Sequence, residues 1–322
     1  MDPLTQGALG AAAALAVARG DQVRPAALCG GLAGMAPDLD VLIRSSTDPL
    51  LFLEVHRQFT HSLAFLPFGA LLCAVLLAPW TGVSRATTYL FCLFGMATHG
   101  WLDACTSYGT QLLWPFTDLR IAWNLLPVVD PLVTTPLVAL VALALRRRSA
   151  VPARAALAVL LATVALGFVQ RERAESVARA LAAERGHTPV SLQAKPSFGN
   201  LLVWKTIVET EAHYDVDAVR LALTPRLFPG DRTPRLDLGR DLPWLAPDSQ
   251  QATDLDSAAQ VGRELLALVG ETAQVHDPPH ARGVRRRAEI PRCPALLFFE
   301  ARRGAHGVDQ EIGGVAALQG AI

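Results

Sequence analysis

The chain has 322 residues, and its 29 basic residues are matched by 29 acidic ones, so it encodes no cationic surface for nucleic acid. Hydrophobic residues make up 51% and mean hydropathy is +0.30, high for a water-soluble protein. Almost every long apolar run lies before residue 170 and the charged residues crowd after it, which divides the chain into a membrane-embedded helical part, 1–170, and a soluble part, 171–322. The cysteines, Cys29, Cys73, Cys92, Cys105 and Cys293, contain no C-x-x-C, which argues against a zinc ribbon or a disulfide framework.

Leu4 to Ala18 is apolar and alanine-rich, short for a hydrocarbon core roughly 30 Å thick. Asp2 and Thr5-Gln6 stand where a basic leader region would be, so no cleavable signal is expected. Ala26 to Ala36 carries Gly30 and Gly34, a G-x-x-x-G that permits close helix approach. Pro37 ends or bends that helix, and Asp38-Leu39-Asp40 follows between apolar neighbours. After a polar loop, His56-Arg57-Gln58-Phe59-Thr60-His61-Ser62 precedes the apolar run Leu63 to Trp80. Thr60 is placed to cap a helix starting at His61.

Ala86 to Ala104 is the next expected span. In a helix its His99 and Asp103 leave the same face, either as a structural hydrogen bond or as half of a metal site. Further spans are expected over Leu132 to Leu145 and Val151 to Val169. Beyond them, Arg171 to Arg185 predicts an exposed amphipathic helix. Asn200–Val208 and Asp215–Leu223 predict strands. Phe228–Pro247 predicts a loop, Ala258–Val269 a helix and Ala295–Ala301 a strand. The fold expected is thus an α-helical membrane bundle of about six hydrophobic helices followed by a small soluble α+β domain. The histidines of the second part, His187, His213, His276, His280 and His306, show no ligand spacing and are expected at the surface.

With six crossings, one set of loops carries Arg19, Arg24, Arg85, Arg146, Arg147, Arg148 and Arg154, the other Arg44, Arg57 and Arg120. The positive-inside rule puts the first set in the cytoplasm. The opposite face then gathers Asp38, Asp40, His56, His61, His99, Asp103 and Asp130, with Gln6 beside them. Histidine and carboxylate without thiolate suit one or two divalent ions, zinc or manganese, in a hydrolytic role.

Several motifs occur in a familiar order. They are Asp2-Pro3-Leu4-Thr5, Ala36-Pro37-Asp38-Leu39-Asp40, the His56–Ser62 stretch, His99 with Asp103, Thr106-Ser107-Tyr108-Gly109-Thr110-Gln111, Pro115-Phe116 and Asp130-Pro131. Together, over about residues 1–150, they resemble the YdjM-type bacterial inner-membrane metal-dependent hydrolases. Pro196 to Tyr214, with Asn200 and Trp204, resembles the soluble extension of one branch of that family. The resemblance implies a multi-pass protein of the inner membrane and marks Asp38, Asp40, His56, His61, His99 and Asp103 as metal or catalytic positions. Gln6 stands where the family commonly has histidine, and a Gln carbonyl is a poor zinc ligand.

The chemistry expected is metal-assisted hydrolysis, in which a carboxylate among Asp38, Asp40 or Asp103 takes a proton from water. Arg57, Thr60 and Ser62 would stabilise negative charge on the substrate. Asp38, Arg57 and Ser62 are therefore the catalytic candidates. A lipid or membrane-associated phosphoester is the first substrate class, an ester or amide the second. The competing readings are a non-catalytic metal-binding or transport protein, or a membrane scaffold.

Overall fold

In a computed structural model of the chain, residues 1–45, 51–236, 238–245 and 255 are described. Helices α1 (Pro3–Val17), α2 (Val23–Met35), the short α3 (Leu51–Val55), α4 (Leu66–Thr81), α5 (Arg85–Ala104), α6 (Pro131–Arg147) and α7 (Val151–Glu184) precede a sheet of four strands. The strands β1 (Ser191–Pro196), β2 (Val203–Glu209), β3 (His213–Leu221) and β4 (Pro225–Pro234) form an antiparallel meander in sequence order. A short α8 (Leu238–Asp241) follows. Residues 1–252 form one compact unit. The helix expected at Ala258–Val269, the strand expected at Ala295–Ala301 and His276, His280 and His306 lie outside the described residues.

Helix α1 is the centre of the bundle. Asp2 caps it by accepting from Thr5 N (3.0 Å) with Pro3 in its first turn, a favourable start. It is buried from Ala8 through Leu15 apart from the half-turn at its edges, and it packs on α2, α5, α6 and α7. Its small residues are the reason. A Cβ built on Gly30 of α2 would lie 2.4 Å from Gly10 O, and one on Gly95 of α5 would lie 2.3 Å from Gly30 O. The three backbones therefore touch, as the G-x-x-x-G pattern allows.

The two helices expected around Val151–Val169 and Arg171–Arg185 are one continuous helix of 34 residues. Nothing between them breaks a helix, since Gln170-Arg171-Glu172-Arg173 are good helix formers. Its second half buries Ala174, Ala178 and Ala182, one per turn, against the sheet. Arg154 Nε donates to Ala16 O at 2.9 Å, so the basic loop after α6 and the end of α1 share one end of the bundle. The sheet lies toward the other end: Gly199 N donates to Val129 O, and Trp204, Val219 and Leu221 join the core cluster of Met1, Leu102 and Leu126.

By length and composition, one helix among the described residues, Val151–Glu184, qualifies as a membrane span. The expectation of about six crossings is not supported by helix length. Pro3–Val17 and Leu66–Thr81 are apolar but shorter; at 15 residues, α1 reaches only about 22 Å. The loop expected at Phe228–Pro247 is also corrected, because β4 takes its first part. Pro225, Pro229 and Pro234 disguise this strand in the sequence, but it is the sheet edge and largely exposed, where a missing N–H costs no ladder bond. Strand β1 was not foreseen.

Candidate metal centre

Pro37 does end α2, and the chain continues as a 3-10 turn, Ala36–Leu42. A second 3-10 turn, Phe59–His61, carries His61, and α4 starts only at Leu66. These turns meet the last turn of α5. Closeness is again set by glycine: a Cβ on Gly100 would lie 2.5 Å from His61 O. The turn bearing His61 thus sits on the α5 backbone one residue from His99.

Four ligand atoms converge there. His61 Nε2 and His99 Nε2 are 2.9 Å apart. Asp38 Oδ1 is 3.5 Å from His61 Nε2 and 3.3 Å from His99 Nε2. Asp103 Oδ2 is 3.4 Å from His61 Nε2 and 3.7 Å from His99 Nε2. All four lie within 4.8 Å of one another. A tetrahedron of N and O ligands at about 2.0–2.1 Å from a cation has edges of about 3.3–3.4 Å, close to these separations.

The opposite side of each ring is tied back. His99 Nδ1 is 2.6 Å from Gly34 O, which can only accept, so this nitrogen carries the proton. His61 Nδ1 lies 2.9 Å from Thr60 Oγ1 and 3.5 Å from Asp40 Oδ2. With both protons on Nδ1, two Nε2 lone pairs face each other, and a positive charge, proton or cation, is needed between them. Asp103 Oδ2 is buried with no hydrogen-bond partner, while its Oδ1 accepts from Gln6 Nε2 at 2.9 Å and from the Met1 nitrogen. The residues present therefore fit a divalent cation with N/O preference.

The electrostatics agree. Burial raises the Asp38 carboxyl, but the His61 and His99 rings beside it outweigh this and hold it well below the usual carboxylate range. Burial likewise raises Asp40, and its bond to His56 with the nearby histidines leaves it lowered. Both are ionised.

The structure thus brings together Asp38, His61, His99 and Asp103. Asp40 and His56 stand one step behind. Asp40 accepts from Thr60 Oγ1 (2.8 Å) and Arg57 N (3.2 Å) and contacts His56 Nδ1 at 2.7 Å. His61 accordingly lies between the two aspartates, with Asp38 on Nε2 and Asp40 toward Nδ1. Arg57 is buried, with Nε 3.3 Å from Asp103 Oδ2, NH1 donating to Thr106 Oγ1 and its guanidinium 5.0 Å from the Tyr108 ring centroid. Ser62 is turned away from the cluster; its hydroxyl donates to Phe59 O and accepts from Phe65 N. Asp130 caps α6 by accepting from Leu132 N. Gln6 points its amide nitrogen at Asp103 and acts on that ligand from behind.

One group was missed by sequence reasoning. His187 and His213, expected as surface residues, gather with Asp215. His213 and Asp215 are two apart in a strand and so share a face, a signal present in the sequence; His187 is brought in by the turn after α7.

A family model described as YdjM inner membrane protein matches residues 1–174. The chain is similar to the uncharacterized protein YfhP of Bacillus subtilis, 30% identical over 104 residues, 32% of each chain. It is also similar to the inner membrane protein YbcI of Escherichia coli, 32% identical over 115 residues, 34% of this chain and 66% of that one. The chain therefore spans about a third of the first relative and just under two thirds of the second. No solved structure matches it.

Proposed function

This chain belongs to the YdjM inner membrane protein family, and on that premise we propose that it is a membrane-bound, metal-dependent hydrolase acting on a phosphoester, or another hydrolysable bond, of a lipid or membrane-associated substrate. The observation that carries this reading is the convergence of two Nε2 lone pairs and two carboxylate oxygens, with His61, His99 and Asp103 each backed by a hydrogen bond that fixes its direction. Such an arrangement without thiolate suits zinc or manganese.

The membrane part of the reading rests on exposed apolar surface. On α4, Phe68, Leu71, Leu72, Val75, Leu76 and Trp80 are 53–73% exposed, a patch expected to face lipid. The buried α1 would cross sheltered by its neighbours, and several shorter helices would cross beside α7. Arg19, Arg24, Arg85, Arg146, Arg147, Arg148 and Arg154 lie at or beyond the helix ends away from the cluster, against Arg44, Arg57 and Arg120 on its side, a bias that supports a multi-pass arrangement with the site on the outer face.

When bound, a divalent cation supplies Lewis-acid polarisation of a phosphoryl or carbonyl oxygen and makes a nearby water more acidic. Asp38 is the ligand that reaches the surface, its side chain 21% exposed against 0% for His61, His99 and Asp103. It accepts the proton of the attacking water. Asp40 and Thr60 hold the His61 ring, Gln6 holds Asp103, and Arg57 places a fixed positive charge beside Asp103, where it offsets charge developing on the substrate.

A second reading has an observation of its own. Four protein donors can complete a tetrahedron, as in non-catalytic zinc sites. One experiment separates the two: detergent-purified protein is analysed for metal and incubated with phospholipid micelles while headgroup release is followed. Hydrolysis requires stoichiometric metal, turnover that a chelator stops, and loss of both with His61→Ala and His99→Ala. Metal without turnover on phosphoester, ester or amide lipids supports the non-catalytic reading; absence of metal, with unchanged stability of His99→Ala, overturns both.

A further inference from the structure

A second cluster of ligand atoms lies away from the bundle, where α7 ends against the sheet. Asp215 Oδ2 is 2.7 Å from His187 Nδ1 and 3.6 Å from His213 Nε2, and all three atoms lie within 4.8 Å of one another. Of these, His213 Nε2 is buried without a hydrogen-bond partner among the described residues, while His187 Nδ1 and Asp215 Oδ2 face each other as a close pair. Buried polar atoms are nearly always satisfied, so the His213 nitrogen aimed at this pair calls for a missing partner. The Asp215 side chain is 5% exposed. Its other oxygen, Oδ1, accepts from Arg232 Nε at 2.8 Å, which leaves Oδ2 facing the histidines. Arg185 NH1 also lies 3.7 Å from Oδ2 and is itself held by a bidentate pair to Asp217.

From this geometry we propose a second metal site, in which His187, His213 and Asp215 bind a divalent first-row transition ion of the zinc type. Two imidazoles and one carboxylate are the donor set of open, three-residue metal sites. A cavity of about 350 Å³ adjoins His187 between the end of α7 and β1, lined in part by Arg179, Val190 and Leu192. One contact must change on loading. Arg232 NH2 lies 3.1 Å from His187 Nε2, so the apo ring carries its proton on Nδ1. Metal binding at Nδ1 moves that proton to Nε2 and turns Arg232 NH2 aside, which its 53% side-chain exposure permits. The site is independent of the bundle centre, since it shares no residue with it.

Cobalt(II), whose visible spectrum reports coordination, is the probe, titrated into chelator-stripped full-length protein in detergent. The wild type is expected to take up two equivalents, His99→Ala one, His213→Gln one, and the double variant His99→Ala/His213→Gln none. At the second site, His213→Gln weakens cobalt by more than the ~10–100-fold that loss of an outer partner costs. If His213→Gln loses the circular dichroism of the sheet, His187→Gln carries the same test from a residue outside the strands. An equivalent that survives in the double variant, or a wild type whose one equivalent vanishes with His99→Ala alone, overturns the second site and leaves the bundle centre standing. A wild type that binds no cobalt overturns both.

Discussion

His99 is the residue on which the bundle centre turns. Its two nitrogens have distinct duties, Nδ1 donating to Gly34 O and Nε2 facing His61 and the carboxylates. His99→Ala is expected to abolish metal uptake and to make thermal stability insensitive to a chelator that lowers the wild-type melting temperature, because a ligand bound only to the native state stabilises by mass action. Gln6 is a milder case. Gln6→Leu keeps the packing but frees Asp103 Oδ1 from its side-chain donor, and metal affinity is expected to fall by ~10–100-fold, measurable by competition with a chelator. Arg57→Lys keeps the charge but loses the fork that touches both Asp103 and Thr106, so headgroup release should fall more than metal content.

Among the elements, α1, α2 and α5 decide whether these residues meet. Their backbones touch at Gly10, Gly30 and Gly95, and His99 lies one turn beyond Gly95. Gly95→Leu is expected to destabilise the bundle by at least ~1–3 kcal/mol and to release metal although no ligand is altered, read by denaturant unfolding and metal analysis. Asp130→Ala makes the opposite contrast. Asp130 is the cap of α6, so the variant should lose ~1 kcal/mol of stability and keep its metal; loss of metal instead would make Asp130 part of the centre.

For the whole unit of residues 1–252, the sheet is packed onto the end of the bundle that holds the candidate metal centre. Trp204 is fully buried and belongs to the same core cluster as Met1, Leu102 and Cys105, the residues that flank Gln6 and Asp103 in the chain or in space. Trp204→Ala is expected to cost ~3–5 kcal/mol and to weaken metal binding at a distance, since Leu102 and Cys105 bracket Asp103. A calorimetric scan in which the sheet and bundle melt as separate transitions, with the metal retained, would contradict this coupling.

Much of this protein is written in its linear pattern. Apolar run lengths located α1, α2, α4, α5 and α6 within a few residues, because a helix's burial depends on residues close in sequence. Alternation located β2 and β3 for the same reason. Ligand chemistry singled out Asp38, His61, His99 and Asp103, because His and Asp next to apolar runs are costly without a partner. The sequence could not separate these four from Asp40, His56, Arg57 and Ser62. That choice depends on which atoms face one point, and only the meeting of two 3-10 turns with the end of α5 decides it. The continuous α7, the proline-rich edge strand β4 and the gathering of His187, His213 and Asp215 were likewise decided by tertiary structure. Each depends on what lies across a space from it, which neighbours along the chain do not reveal.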